Sequence, residues 1–254
     1  MAWRKTYAGV EPQRVNKWLA AEGVCSRREA EELIAKGLVR IDGERVDDPG
    51  RKIAPGQTIE VAQASGPAPI SVVVNKPVGF VSSQPEGAQV PAARLLTRAN
   101  LVGATDNMPT SRTSLAPLGR LDQDSRGLLI LSEDGVLTKA VIGPQSALDK
   151  EYLVRVTGQI SERKLALLRH GLTLDGRRLK PAKVAVVESQ RLRFVLNEGR
   201  KRQIRRMCEL VDLNVTDLLR IRIGALTLGE LPEGKWRALT DAERERLIND
   251  SRGH

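Results

Sequence analysis

Apolar spacing divides the first sixty residues into two short helices followed by strands. Val15 and Leu19, four apart, share one helical face; Pro12 suits the first turn and Gly23 the C′ position after it. Ser26 and Glu29 form an S-x-x-E capping box that opens a second helix. Ala30, Leu33 and Ile34 point inward from it, and Gly37 stops it. The pattern over 38–46, with Asp42-Gly43 at its centre, predicts a hairpin with a type I′ turn. Pro55-Gly56 then turns the chain into a strand over 58–61. Residues 63–69, small residues and prolines without a period, read as a linker.

The remainder is longer and mixed. Strands are expected at 70–74, at 127–131 as a buried apolar run, and at 152–156, 183–187 and 192–196. Asp134-Gly135 reads as a turn ahead of a helix carrying Leu137, Ala140 and Val141. Residues 162–170 have a helical pattern. Ile204, Met207, Cys208 and Val211 make one face of another helix, with Arg202, Arg205 and Arg206 off that face. Residues 97–114 are polar, small and aperiodic, and read as an exposed loop. Strands outnumber long helices and do not alternate with them. The expected class is therefore α+β with a mixed, largely antiparallel sheet and flanking helices, not a doubly wound fold.

Composition narrows the chemistry. The 254 residues suffice for one or two hydrophobic cores. Residues 1–66 carry 11 basic and 10 acidic side chains, while residues 67–254 carry 30 and 21, so most of the net +10 lies in the second part. So basic a surface points to phosphates or an acidic partner. Two cysteines, Cys25 and Cys208, exclude a disulfide scaffold and a multi-Cys zinc site. Two histidines, one of them the terminal His254, exclude a multi-His metal centre. No apolar run matches the roughly 20 residues of a membrane span, and no signal peptide opens the chain. The chain reads as cytoplasmic. Aromatic content of 3% argues against base recognition by many stacked rings.

Two segments carry candidate chemistry. Five of the seven residues from Arg200 to Arg206 are cationic. Such a run is ordinarily a solvated helix face. Cations at a helix start oppose the dipole, however, and an anion such as phosphate would offset that. In Gly119-Arg120-Leu121-Asp122-Gln123-Asp124-Ser125-Arg126-Gly127, two carboxylates stand among arginines just before the buried strand. They could be turn formers, or catalytic groups at a sheet edge. The arginines would keep both ionised, which disfavours a proton-sharing dyad. Tyr152 reads as strand packing, Tyr7 as part of a loose N-terminus and Trp18 as partly buried. His170 reads as a surface residue, and the cysteines as packing.

These segments resemble, in order, the motifs of a group of bacterial rRNA pseudouridine synthases: those of the small ribosomal subunit, and synthases B, E and F of the large one. Residues 12–62, with Cys25-Ser26-Arg27-Arg28-Glu29-Ala30, resemble the small RNA-binding domain named after ribosomal protein S-four. Asn75-Lys76-Pro77-Val78-Gly79 is similar to the opening motif of the synthase domain, which would span 70–250 beyond the 63–69 linker. Gly119-Arg120-Leu121-Asp122 is similar to the catalytic motif, Lys150-Glu151-Tyr152 to the tyrosine motif, and 198–207 to the closing basic motif. The wording of the closing motif is most like that of the synthase F branch.

The resemblance implies isomerisation of uridine to pseudouridine in RNA, foremost 23S rRNA or an assembling ribosomal subunit, with a tRNA besides. The enzyme would be a monomer needing no cofactor and no metal. Asp122 would be the nucleophile, paired with Arg205. Tyr152 would stack on a base that has left its helix, and Arg120 would fill the vacated space or clamp a phosphate. Lys76, Arg200, Lys201, Arg202 and Arg206 would bind RNA, joined by Arg14, Lys17, Arg27, Arg28, Lys36 and Arg40 of the small domain. Two alternatives stay open: a non-catalytic rRNA-binding protein on the same fold, and a magnesium phosphodiesterase using Asp122 and Asp124.

Overall fold

The computed structural model describes residues 3–62, 69–110 and 113–251. The expected linker lies, apart from Pro69, outside the described residues, as does His254. The chain forms two compact units, one of residues 1–69 with 134–139, the other of 70–133 with 140–254.

In the first unit, β1 (Trp3–Thr6) precedes helices α1 (Val15–Ala21) and α2 (Arg27–Ala35) and strands β2 (Val39–Ile41), β3 (Glu44–Arg45) and β4 (Thr58–Val61). The strands make one antiparallel sheet in the order β1-β4-β2-β3. The local signals behave as chemistry requires. Ser26 Oγ accepts from Glu29 N, and the Glu29 carboxylate accepts from Ser26 N, so both ends of the capping box close. Asp42 and Gly43 both have positive φ, 49° and 86°, as a type I′ turn needs. Pro12 lies ahead of α1, which begins only at Val15. Tyr7 is not loose: the chain before it is a strand, its ring is buried, and its hydroxyl donates to Glu11 O at 2.6 Å. Trp18 is buried rather than half-buried, with Trp3 and Tyr7 edge-on at 5.5 Å each.

The second unit is built on β5 (Ser71–Lys76), β6 (Arg126–Ser132), β7 (Lys150–Thr157), β8 (Lys183–Glu188), β9 (Arg191–Leu196), β10 (Asn214–Ile223) and β11 (Trp236–Ala238). Their order is β8-β9-β7-β10-β6-β5-β11, with two short strands at 116–117 and 226–227 beside β6 and β10. Within the sheet β6 and β10 run parallel and the other neighbours antiparallel, as the mixed pattern predicts. Helices α3 (Gly135–Ile142), α4 (Glu162–His170), α5 (Gln203–Glu209) and α6 (Asp241–Asp250) complete the chain. Asp134 is a cap rather than a turn, its Oδ1 accepting from Val136 N and Leu137 N at 2.8 and 3.0 Å.

Three features fix the frame that carries the functional residues. Gly127, at φ 105°, lies where β6 meets β10; a side chain there would begin 2.3 Å from Arg220 O, so only glycine lets the parallel pair close. The described part of the 97–114 stretch is mostly exposed, as expected, yet anchored at several points. Trp236 Nε1 donates to Thr97 O at 2.8 Å, and Leu101 and Met108 pack on the core. Cys25 and Cys208 are buried free thiols, each pushed up to about 12 by desolvation, which suits packing and not reactivity. Among the described residues, no helix is long and apolar enough to cross a membrane.

Candidate active site

Asp122 sits on the loop between the short strand at 116–117 and β6. The backbone on its N-terminal side is gripped by a buried hydroxyl: Ser82 Oγ donates to Leu121 O at 2.6 Å and accepts from Leu121 N at 2.8 Å. On the other side, Ser125 N donates to Asp122 O at 3.1 Å. The loop therefore presents Asp122 from a fixed frame, half-buried, into a cavity of about 510 Å³.

That cavity gathers residues distant in sequence. Arg120 and Asp122 come from the loop, Lys150 and Tyr152 from β7, Lys180 from a connection, Leu218 and Arg220 from β10, and residues 196–205 from the turn into α5. Of the two lining carboxylates, Glu198 accepts from Lys180 N and Gln203 Nε2 at 3.0 and 3.1 Å. The Asp122 carboxylate has no hydrogen bond or ion pair among the described residues. Arg120 is exposed and likewise unengaged.

Asp124 behaves differently. Its carboxylate lies 2.9 Å from Arg202 Nη2 and 3.3 Å from Arg205 Nε. Burial pushes its pKa up, but the Arg202 hydrogen bond and the two guanidinium charges outweigh this and hold it below the usual carboxylate range. It lines a neighbouring shallow cleft with Val78, Gly79, Gln123 and Arg202, not the cavity of Asp122. The two carboxylates thus form no acid–base pair in a common cavity, and Asp124, held by two arginines, is not free to join Asp122 on a metal.

The basic run is only partly a binding surface. Arg205 is buried, not solvated: Nη2 donates to Asp124 O at 2.7 Å and Nη1 to Val215 O at 3.1 Å. Its ion pair is with Asp124, which corrects the expected pairing with Asp122. Three of the cations, Arg200 to Arg202, precede α5 rather than opening it, Arg202 in the left-handed region at φ 52°. Arg200 donates to the carbonyls of Leu174, Arg177 and Arg178 at 3.0 to 3.2 Å, fastening a small hairpin. Arg206 makes a bidentate pair with Asp175 at 2.7 and 2.9 Å. Arg200 thus serves the protein's own backbone, and Arg206 an exposed pair with Asp175. Lys201 and Arg202 are exposed.

Lys76 is also displaced from its expected role. Its side chain is wholly buried, with Nζ donating to Pro77 O and Phe80 O at 2.9 and 2.7 Å, so it offers nothing to a surface ligand. Desolvation pushes it down to about 8 against the opposing charges of Asp124 and Asp122. In the first unit, Arg14, Lys17, Arg27, Arg28, Lys36 and Arg40 are all exposed.

Sequence reasoning missed Arg220 and Lys150 as site residues. Arg220 is 1% exposed, and its Nε and Nη2 donate to Leu128 O and Gly119 O at 2.8 Å each. The signal for Lys150 was its place two residues before Tyr152 on a strand, which puts both on one face. Arg220 had no local signal, because it reaches the cavity by pairing opposite Tyr152 across a bulged register.

Comparison with known proteins bears on the whole of this arrangement. Residues 70–210 match the family model described as RNA pseudouridylate synthase, and residues 13–59 match the S4 domain. The chain is 35% identical over 235 residues to the dual-specificity RNA pseudouridine synthase RluF of Escherichia coli K12, covering 91% of this chain and 76% of that one. It is 32% identical to the ribosomal large subunit pseudouridine synthase B of Bacillus subtilis, over 92% of this chain and 95% of that one. A crystal structure of a pseudouridylate synthase superposes with a TM-score of 0.63 at 27% identity, covering 92% of this chain and 99% of the other.

Proposed function

The chain belongs to the RNA pseudouridylate synthase family, and from that premise we propose that it isomerises a uridine of 23S rRNA with Asp122 as nucleophile. One observation carries the assignment: Asp122 is the cavity carboxylate left without a hydrogen bond or ion pair among the described residues, on a loop fixed from both sides. An unengaged carboxylate oxygen held on a rigid frame is what attack on a bound nucleotide requires. Asp122 bonds to C1′ as the glycosidic N1–C1′ bond breaks and its electron pair leaves with the base; the uracil turns, C5 bonds to C1′ and displaces the Asp122 carboxylate, the C5 proton leaves and N1 gains one. Atoms and electrons balance without a redox partner.

Tyr152, half-buried on β7, offers its ring as the surface on which the extruded base stacks. Arg205 acts as a positioning residue: through Asp124 O and the Asp124 carboxylate it holds the 122–125 turn in place. Arg120, Lys201 and Arg202, exposed beside the cavity, would meet the RNA backbone, with Lys180 added to the expected set. Residues 12–62 are read as the RNA-binding module and 70–250 as the catalytic domain of a cytoplasmic monomer. The relatives named for the ribosomal large subunit support the rRNA assignment.

The test is carbodiimide primer-extension mapping of rRNA and tRNA from a strain lacking the protein, complemented with wild type or Asp122→Asn. A stop lost on deletion and restored by wild type alone establishes both the uridine and the role of Asp122. Restoration by Asp122→Asn would remove Asp122 from the chemistry.

A further inference from the structure

Two cations meet on the wall of the cavity, and among the described residues no carboxylate pairs with either. Gly119, at φ 84°, leaves a space there. A side chain on it would begin 3.6 Å from Lys150 Cε and 3.7 Å from Arg220 Nη1. Arg220 spends Nε and Nη2 on backbone carbonyls, while Nη1 has no hydrogen bond among the described residues. Among the described residues, Lys150 Nζ has a single long hydrogen bond, 3.4 Å to Leu148 O. The adjacent carboxylate, Asp149, is already clamped by Arg222 at 2.6 and 3.0 Å. Buried like charges without a counter-ion are costly, so the arrangement calls for an anionic oxygen in the bound state.

The sheet register says which oxygen. Lys150 and Tyr152 are two apart on β7 and face the same way. Arg220 stands directly opposite Tyr152 on β10. Lys150, Arg220 and the tyrosine ring therefore share one face of the sheet and one cavity. A base stacked on Tyr152 lies parallel to that ring and turns its edge, not its sugar, toward the two cations.

We infer that Lys150, assisted by Arg220 Nη1, binds a carbonyl oxygen of the target uracil and stabilises the negative charge the base carries once its glycosidic bond has broken. This rests on the reading of the cavity as the uridine site. When N1–C1′ breaks, the electron pair stays on the base and spreads from N1 to O2 and O4. A preorganised ammonium at that edge gains strength as the charge develops, and this is where stabilisation accelerates a reaction. Lys150 makes no covalent bond and passes on no proton. Gly119, at φ 84°, adopts a backbone conformation that L side chains rarely take, and the space left by its missing side chain is open to that oxygen.

The ammonium must be charged to do this. Burial, then the Arg220 charge, push Lys150 down to about 8, against the pull of Asp149. The other charged groups lining the cavity are Arg120 and Asp122 on the loop, Lys180, and Glu198, Arg200, Lys201, Arg202 and Arg205 at the turn into α5. The free enzyme should accordingly lose kcat/KM above about pH 8.

The experiment uses the full chain and an rRNA fragment tritiated at uracil C5, and follows tritium release in single turnover. Lys150→Met should slow the saturated rate by about 10²- to 10³-fold, with RNA affinity within about threefold of wild type. Lys150→Arg should recover most of the rate and move the alkaline limb upward. A Lys150→Met rate equal to wild type overturns the inference. So does weaker RNA binding with a salt slope smaller by about one and an unchanged saturated rate, which assigns the ammonium to a flanking phosphate. Lys150→Arg as slow as Lys150→Met, with the alkaline limb unmoved, reduces Lys150 to a packing role and overturns it too. Failure of the uridine-site reading shows separately, as wild-type protein that releases no tritium from any ribosomal RNA.

Discussion

Lys76 carries a charge that the sequence directs toward RNA and the fold directs inward. Its ammonium is buried on the carbonyls of Pro77 and Phe80, where it holds the 76–80 turn instead of a ligand. Desolvation lowers its pKa from the ordinary 10.5 to about 8. Between these values the unfolded chain binds a proton that the folded chain does not, so stability rises with pH across the interval. The contribution is complete above about 10.5 and is lost as pH falls through about 8. Its ceiling is about 3 kcal/mol, at 1.36 kcal/mol per pH unit. In urea unfolding, the stability of wild type relative to Lys76→Met is therefore expected to grow from pH 8 to 10.5. Lys150, shifted the same way, is common to both proteins and cancels. A difference that stays flat with pH would show that Lys76 is charged throughout. That Asp122 and Tyr152 would come together was legible from motif order, and both line one cavity. The partner of Arg205 was not, because a choice between two aspartates two residues apart depends on how one turn is aimed.

At the scale of elements, the segment from Arg200 to Arg206 divides its labour by position. Arg200 and Arg206 reach back to the hairpin at 173–178 and spend their donors on its carbonyls and on Asp175. Arg205 reaches inward to the loop of Asp122. Lys201 is left exposed. Lys201→Ala is expected to weaken RNA binding with a salt slope lower by about one and unchanged stability. Arg200→Ala should instead lower stability by about 0.5–1.5 kcal/mol, from three hairpin carbonyls that lose their donor, one of them part-buried, and leave the salt slope alone. Denaturant midpoints and binding across a salt series decide between them, and the reverse pattern would refute the division. A helical wheel could not reveal it, since Arg200 precedes the helix and Arg205 and Arg206 pair outside it. Caps, the type I′ turn and the alternating strands were legible because each is settled within a few residues. The meeting of Lys150 and Arg220 was not, since it depends on a β-bulge between strands some seventy residues apart.

For the whole molecule, the distribution of charge separates holding RNA from changing it. The first 66 residues are nearly neutral, yet Arg27 and Arg28 stand exposed in the first turn of α2, with Arg14, Lys17, Lys36 and Arg40 exposed elsewhere in the same unit. The cavity with Asp122 is built entirely from the other unit. On the proposed function, phosphate contacts of the first unit would add to affinity, while only a base contact in the cavity would change between ground and transition states. Uniform binding lowers KM and leaves kcat alone. The double variant Arg27→Ala, Arg28→Ala is therefore expected to raise KM for rRNA steeply at physiological salt. Its salt slope should fall by about 1.4 to 1.8, from two phosphate contacts at 0.7–0.9 each. Its single-turnover rate at saturating RNA should stay within about twofold of wild type. A fall in the saturated rate at unchanged affinity would mean that these arginines shape the RNA that enters the cavity, and the separation of binding from chemistry would fail.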